Sequence, residues 1–190
     1  MGDHRPGTRV EEAKHPLPGT DTALVQAAHT DPRAFGALYD RYVDRVYRYL
    51  YRQTGRRETA EDLTSLTFLR ALGGLTRVDP QQPFAPWLLR IAHNALIDDR
   101  RAAAHTVRLT DEIVRVLVEE SDPLTDSTLE QAEAFLAYTR DLTNDQRDAL
   151  ALRFIADLST EQTATALGRS VAATKMLVRR AVLAVRRHDS

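Results

Sequence analysis

Apolar residues recur along this chain at the three-and-four spacing of helix faces, and no segment alternates with the two-residue period of a strand. The first run opens at Asp31-Pro32, a capping residue followed by proline at the first helical position. It carries Phe35, Leu38, Tyr39, Tyr42, Val43, Val46, Tyr47 and Leu50, and Gly55 ends it. A second helix is expected from Thr59, with Asp62 three residues on as a capping-box-like pair. Leu63, Leu66, Leu69 and Leu72 form its expected buried stripe, and Gly73-Gly74 its stop. A loop bearing Pro80, Pro83 and Pro86 leads into a third helix, expected over about Trp87 to Ala103, with Leu88, Ile91, Ala92, Ala95 and Leu96 inward. Nearer the C-terminus, Thr143 with Gln146 and Ser159 with Gln162 read as two capping boxes. The first opens a helix carrying Ala149, Leu150 and Phe154. The second opens a short helix carrying Ala164 and Leu167 and closed by Gly168, and Ser170 caps a last helix to about Arg187.

Between these halves the character changes. From Thr110 to Glu133 the acidic residues Asp111, Glu112, Glu119, Glu120, Asp122, Asp126, Glu130 and Glu133 face only Arg115, with a break at Asp122-Pro123. The pattern predicts an all-α protein of two small helical domains. Residues 1–20 form a disordered N-terminal tail, 21–106 the first domain, 107–135 an acidic linker with marginal helix, and 136–190 a helix-turn-helix domain.

Charge and composition narrow the function. The net charge of −1 means that any nucleic-acid binding must come from local basic faces. The absence of cysteine excludes disulfides, thiolate zinc sites and a cysteine nucleophile. No apolar run approaches the ~20 residues that span a bilayer, and Met1 to Thr20 lacks the apolar core of a secretory signal. The expectation is a cytoplasmic protein without membrane insertion. His4, His15, His29, His93, His105 and His188 show no metal-ligand spacing, no glycine-rich phosphate loop occurs, and no serine sits in a nucleophile elbow. Adjacent Asp98 and Asp99 point about 100° apart on a helix and cannot clamp one substrate. The sequence therefore predicts no enzyme, no catalytic residues, no metal and no cofactor.

Three helix faces carry the candidate binding chemistry. In the last helix Val171, Thr174, Leu177, Val178, Ala181, Val182 and Val185 share an inner arc, while Ala172, Met176, Arg179, Arg180, Leu183 and Arg187 share the opposite one. A short helix, a glycine turn and a basic second helix match the helix-turn-helix pattern, and guanidinium forks suit phosphates and guanine edges. The competing reading is a merely solvated helix. In the third helix Arg90, Asn94, Ile97 and Arg101 form one outward stripe, with Arg100 and Arg108 nearby. Asparagine can pair with a base edge and arginine can neutralise phosphate. Phe84 and Trp87 beside it suit either stacking on unpaired bases or core packing; core packing is favoured for Trp87, and both readings stay open for Phe84. The second helix exposes Glu61, Asp62, Thr64, Ser65, Thr67 and Arg70, a poor DNA face that suits either a protein contact or plain solvent.

Taken in order, these segments resemble the extracytoplasmic-function (ECF, group IV) sigma factors of bacterial RNA polymerase. The stretch Ala60 to Ala71 (AEDLTSLTFLRA) is similar to that family's region 2.2, Pro83 to Arg101 (PFAPWLLRIAHNALIDDRR) to its regions 2.3 and 2.4, and Leu142 to Arg187 to its region 4. The resemblance implies a region 2-like bundle and a region 4-like domain acting in promoter recognition, −10 melting and initiation, with RNA polymerase core and promoter DNA as partners. It implies docking of Glu61, Asp62, Ser65 and Arg70 on the β′ clamp helices. It further implies −10 reading by the Leu75–Pro86 loop with Phe84, Arg90, Asn94 and Arg101, and −35 reading by the helix from Ser170 with Lys175, Met176, Arg179 and Arg180. The acidic linker would pass near the RNA exit path. Two motifs depart from the family's usual forms: Gln162-Thr163-Ala164 replaces Glu-Ile-Ala, and Ala172-Ala173-Thr174-Lys175-Met176-Leu177-Val178 replaces Gly-Thr-Val-Lys-Ser-Arg-Leu. Met176 and Leu183 on the outward face suit a partner such as an anti-sigma protein or the polymerase β flap. The rival readings are a free-standing helix-turn-helix regulator of duplex DNA, which leaves the Trp87–Arg101 block unexplained, and a helical adaptor on polymerase with no DNA role.

Overall fold

A computed structural model describes the backbone of residues 20–109 and 126–187, and the side chains of all of these except 105–109 and 126–130. The N-terminal tail, most of the acidic stretch with its Asp122-Pro123 break, and the Arg108 side chain lie outside the described residues. The fold is all-α in two helical domains, as the patterning predicts. Its helices are α1 (Asp21–Thr30), α2 (Phe35–Thr54), α3 (Arg57–Gly74) and α4 (Phe84–Leu109), then α5 (Asp126–Tyr138), α6 (Asn144–Phe154), α7 (Thr160–Leu167) and α8 (Val171–Arg186), with 3-10 turns at Pro32–Ala34 and Leu75–Arg77.

Helix α1 was not expected, because its ten residues carry too short an apolar stripe. Thr20 caps it by accepting from the Ala23 N–H, and only Val25 and Ala28 are buried. Tertiary contacts hold it: the Tyr42 hydroxyl donates to Asp21, and the His29 ring lies 2.9 Å from the Leu75 carbonyl oxygen. Helix α2 ends where Gly55 turns left-handed at φ 65°, a conformation open to glycine. A second constraint acts at the same residue. The Leu136 side chain of α5 lies 2.6 Å from where a Cβ on Gly55 would stand.

Helix α3 corrects the expected stripe. It starts at Arg57 rather than Thr59, without a side-chain cap, and buries Ala60, Leu63, Thr64, Thr67, Phe68 and Ala71. Leu69 and Leu72 face outward, 69% and 42% exposed. Thr64 and Thr67, expected on the surface, are inside because each hydroxyl donates to its own helix, to the Ala60 and Leu63 carbonyls at 2.7 and 2.6 Å. A hydroxyl so paired can be buried without the penalty of a lost hydrogen bond.

Helix α4 begins three residues before the expected start, at Phe84. Pro86 then falls in its first turn, where the missing N–H has no intrahelical partner to lose. Both predicted capping boxes form, Thr143 with Gln146 and Ser159 with Gln162. Gly168 closes α7 at φ 64°, and the Ser170 Oγ accepts from the Ala173 N–H to open α8. In α6, Ala149 is buried as expected, but Phe154 is 56% exposed and the packing falls instead to Ala151 and Leu152. The two halves share one core: Ala151, Leu152, Ala156, Leu158 and Ala166 join the cluster built by α1 to α4, with α4 packed on α7 and α2 on α5 and α6.

Candidate nucleic-acid and polymerase interfaces

Three adjoining arcs of α4 have different environments. Leu88, Ala92, Ala95 and Leu96 are buried in the first domain's core. Pro86, Leu89, His93 and Arg100 fall on the next arc by helical spacing; His93 and Arg100 there approach Asp148 of α6. The third arc is the predicted stripe: Arg90, Asn94 and Arg101 are exposed and Ile97 is half-buried. Exposed cations and an amide on a rigid helix suit the phosphates and base edges of a nucleic acid.

Beside the stripe lies a cleft of about 300 Å³ lined by Arg70, Gly74, Arg77, Trp87, Ile91 and Asn94. The cleft brings together an indole, an amide and two guanidiniums, a set that can stack a base, read its edge and hold a flanking phosphate. The sequence placed Ile91 on the inner face of its helix, Arg77 only within the Leu75–Pro86 loop, and Arg70 on the polymerase-facing helix. Arg70 also pairs with Asp98 of α4 at 3.3 Å, tying the cleft's two walls together. Gly74 admits the Trp87 ring, whose nearest atom is 3.4 Å from the position of an added Cβ. Phe84 is fully buried between Tyr42 and Trp87, with ring centroids 5.4 Å from each. A stacking platform needs a free ring face, which Phe84 lacks in this arrangement.

His93 sits behind the stripe, with its Nδ1 3.3 Å from the Tyr49 hydroxyl oxygen. Burial holds its imidazole below the usual value, against the opposing pull of Asp148. The folded chain thus keeps His93 neutral where the unfolded chain takes up a proton. This contribution to stability is intact above the ordinary value of 6.5 and is lost as pH falls from there toward the depressed one. Thermal unfolding followed by circular dichroism is expected to show a falling midpoint below that pH, with a shallower fall in His93→Gln.

The second basic face is on α8. Thr174 and Ala181 are buried, and Leu177, Val178, Val182 and Val185 are half-buried, on the predicted inner arc. Val171, placed on that arc, is 37% exposed because it begins the helix beyond the cover of α6 and α7. Lys175, Met176, Arg179 and Arg180 are exposed. Ser170 uses its oxygen to cap the helix and retains a hydroxyl proton for an external acceptor. Arg169 in the turn pairs with Asp145 of α6 at 2.6 Å.

The third face is on α3. Glu61, Asp62, Ser65 and Arg70 are exposed, and Glu61 pairs with Arg57 at 2.8 Å. The same helix presents Leu69 and Leu72. Tyr39 of α2 is also 42% exposed, its ring 4.7 Å from that of Phe68. An apolar strip bordered by charge is the composition of a protein-docking surface. The sequence pattern concealed it because leucines at helical spacing read as core.

Two basic helix faces on separate domains, with a polar and apolar face on α3, have the chemistry of a factor that contacts DNA in two places and docks on another protein. Family comparison agrees. Residues 38–106 match Sigma-70 region 2 and residues 132–185 match Sigma-70, region 4. The ECF RNA polymerase sigma factor BldN of Streptomyces coelicolor is 38% identical over 178 residues, covering 89% of this chain and 67% of BldN. Among solved structures, CnrH in complex with the cytosolic domain of CnrY superposes with a TM-score of 0.66 at 25% identity, covering 88% of this chain and 95% of CnrH. RpoE of Bartonella quintana, solved with the anti-sigma factor NepR, shares the fold at a TM-score of 0.69 and 20% identity, covering 82% of this chain and 96% of RpoE. The chain belongs to the ECF RNA polymerase sigma factors. It binds RNA polymerase core and promoter DNA and directs transcription initiation, and it is not itself an enzyme. A free-standing helix-turn-helix regulator is thereby set aside, since the region 2 match accounts for the half of the chain that such a regulator leaves unexplained. Among the described residues no helix is long and apolar enough to cross a membrane.

Proposed function

We propose that this sigma factor divides promoter reading between α4 and α8. The stripe Arg90–Asn94–Arg101, with the cleft formed by Arg70, Arg77, Trp87 and Asn94, captures the melted −10 strand. Phe84 serves that site from behind, by fixing Trp87. Ser170, Lys175, Met176, Arg179 and Arg180 meet the −35 duplex in its major groove. Glu61, Asp62, Ser65 and Arg70, with Leu69 and Leu72, dock α3 on the β′ clamp helices. The β flap contacts the second domain. The proposed units are a tail of 1–20, a region 2-like unit over 21–106, an acidic linker from 107 that passes near the RNA exit path and gives way to α5 within the expected 107–135, and a region 4-like unit that reaches 190. The protein is a group IV factor acting in the cytoplasm, and an anti-sigma protein holds it in check. The anti-sigma reading draws support from RpoE, solved with the anti-sigma factor NepR.

The observation that carries the −10 assignment is the cleft beside Asn94, where an aromatic wall, an amide and two arginines converge. Opening the duplex there is driven by binding: unstacking a base costs a few kcal/mol, which capture of the flipped base offsets. The test is transcription with core polymerase on two promoter pools, one randomised at −10 and one at −35. Arg180→Ala is expected to relax selection at −35 and leave −10 preferences as they were. Relaxation at −10, or none at either element, would overturn the division.

A further inference from the structure

Helix α1 belongs to none of the three faces described above. Its outward residues Ala23, Gln26, Ala27 and Thr30 are uncharged, and the match to Sigma-70 region 2 begins only at residue 38. Its two ionisable side chains, Asp21 and His29, are half-buried and reach other elements of the first domain. From Asp21 a line of contacts runs to the cleft beside Asn94. The carboxylate accepts from the Tyr42 hydroxyl on one oxygen and from Arg41 on the other, the latter at 2.7 Å. Tyr42 is 6% exposed, and a buried hydroxyl without a partner is costly, so Asp21 fixes where the ring can sit. That ring packs on Phe84 and Phe84 on Trp87, with 5.4 Å between centroids in each pair. Protein interiors are close-packed, so an enclosed ring passes a displacement to its neighbour.

A second line starts at His29. A carbonyl oxygen only accepts, so the His29 Nε2 donates to Leu75, at 2.9 Å. The same carbonyl opens the 3-10 turn Leu75–Arg77 and accepts from the Val78 N–H, also at 2.9 Å. Gly74 just before this turn and Arg77 at its end both line the cleft. The two lines therefore leave one short helix and end on different walls, one on Trp87 of α4 and the other on the turn that follows α3.

We infer that α1 sets the width of this cleft, with Asp21 and His29 as positioning residues for capture of the −10 strand that touch no nucleic acid themselves. The inference rests on the −10 reading of the cleft. A binding constellation must be held to within about 0.5 Å by side chains that are themselves locked in place. Trp87 and Arg77 come from different elements, so their separation is not fixed by either helix alone. Helix α1 bonds to supports of both and supplies the missing constraint.

The test exploits Trp87, the only tryptophan of the chain, whose fluorescence reports on the cleft directly. In the free full-length protein, Asp21→Ala and Tyr42→Phe are expected to shift Trp87 emission and to increase its quenching by acrylamide, with the circular dichroism unchanged. With core polymerase, Asp21→Ala and His29→Phe are each expected to reduce promoter opening, read by permanganate, by about fivefold at unchanged affinity for core, the worth of one lost hydrogen bond. Asp21→Asn, whose amide oxygen still accepts from Tyr42, is expected to restore most of the loss. In a Trp87→Ala background Asp21→Ala is expected to cost nothing further, because its line ends on the absent ring. Tyr42→Phe removes a single oxygen and keeps the test decisive if Asp21→Ala misfolds. Normal opening by both Asp21→Ala and His29→Phe would overturn the role of α1. So would an undiminished loss from Asp21→Ala in the Trp87→Ala background, which is the mark of a general structural effect. Trp87→Ala that opens promoters as well as wild type would instead overturn the −10 reading of the cleft, and this inference with it.

Discussion

Leu69→Glu is expected to weaken binding to core RNA polymerase by about thirtyfold or more. Leu69 is the most exposed large apolar side chain among the described residues, and it stands with Leu72 and Tyr39 beside the charged positions Glu61 and Asp62. The few hot-spot anchors near the centre of an interface contribute about 2 kcal/mol or more, a factor of about thirty in affinity. Glutamate adds a charge that the docked state must desolvate. Because Leu69 touches solvent in the free chain, the substitution leaves the fold intact, and the melting temperature serves as the control. Leu69→Met, similar in volume and polarity, is expected to retain most of the affinity. A titration of labelled core that shows equal affinity for the glutamate variant would remove this strip from the docking surface.

Asn94→Ala is expected to reduce promoter opening between roughly fivefold and a hundredfold while core binding stays unchanged. A good bidentate contact to a base edge discriminates by ~1–3 kcal/mol. Asn94 is exposed on both the stripe and the cleft. Permanganate reactivity of thymines in the −10 element reads opening, and the polymerase titration reads docking. The loss should concentrate at one base of the element, because an amide reads one edge. Arg77→Ala, which removes a phosphate partner, should instead weaken opening on all sequences and reduce its salt dependence. A uniform loss for Asn94→Ala would make it a backbone contact and move the reading residue elsewhere on the cleft.

Much of this was legible from residue pattern, for reasons specific to each element. The two capping boxes and Gly168 define the second domain because each is a local device, complete within four residues and independent of packing. The outward stripes of α4 and α8 were legible because charged side chains on a helix seldom turn inward. Failures occurred where tertiary structure overrode local pattern. Helix α1 has too few apolar residues to announce itself and depends on Tyr42 and Leu75, distant in sequence. In α3 the threonines satisfied their own hydroxyls and took the inner face, which released leucines to the surface. The cleft joins side chains from α3, the following turn and α4, and no single-helix periodicity could have assembled it. Asp148 was unreadable as an interface residue because its partners lie 48 and 95 positions away.

Gly55 shows how a residue can be fixed by two demands that would be mistaken for one. At φ 65° it looks like an ordinary helix stop, and a protein engineer would try asparagine there, the other residue at ease with a left-handed backbone. Asparagine would meet the backbone requirement and still drive its Cβ into Leu136 of α5. Residue 55 is therefore a spacer as well as a turn, and any side chain it carries must displace the end of a leucine 81 positions further along the chain. In a library of variants the two positions would be coupled: a side chain at 55 requires the end of the Leu136 side chain to swing aside or be shortened.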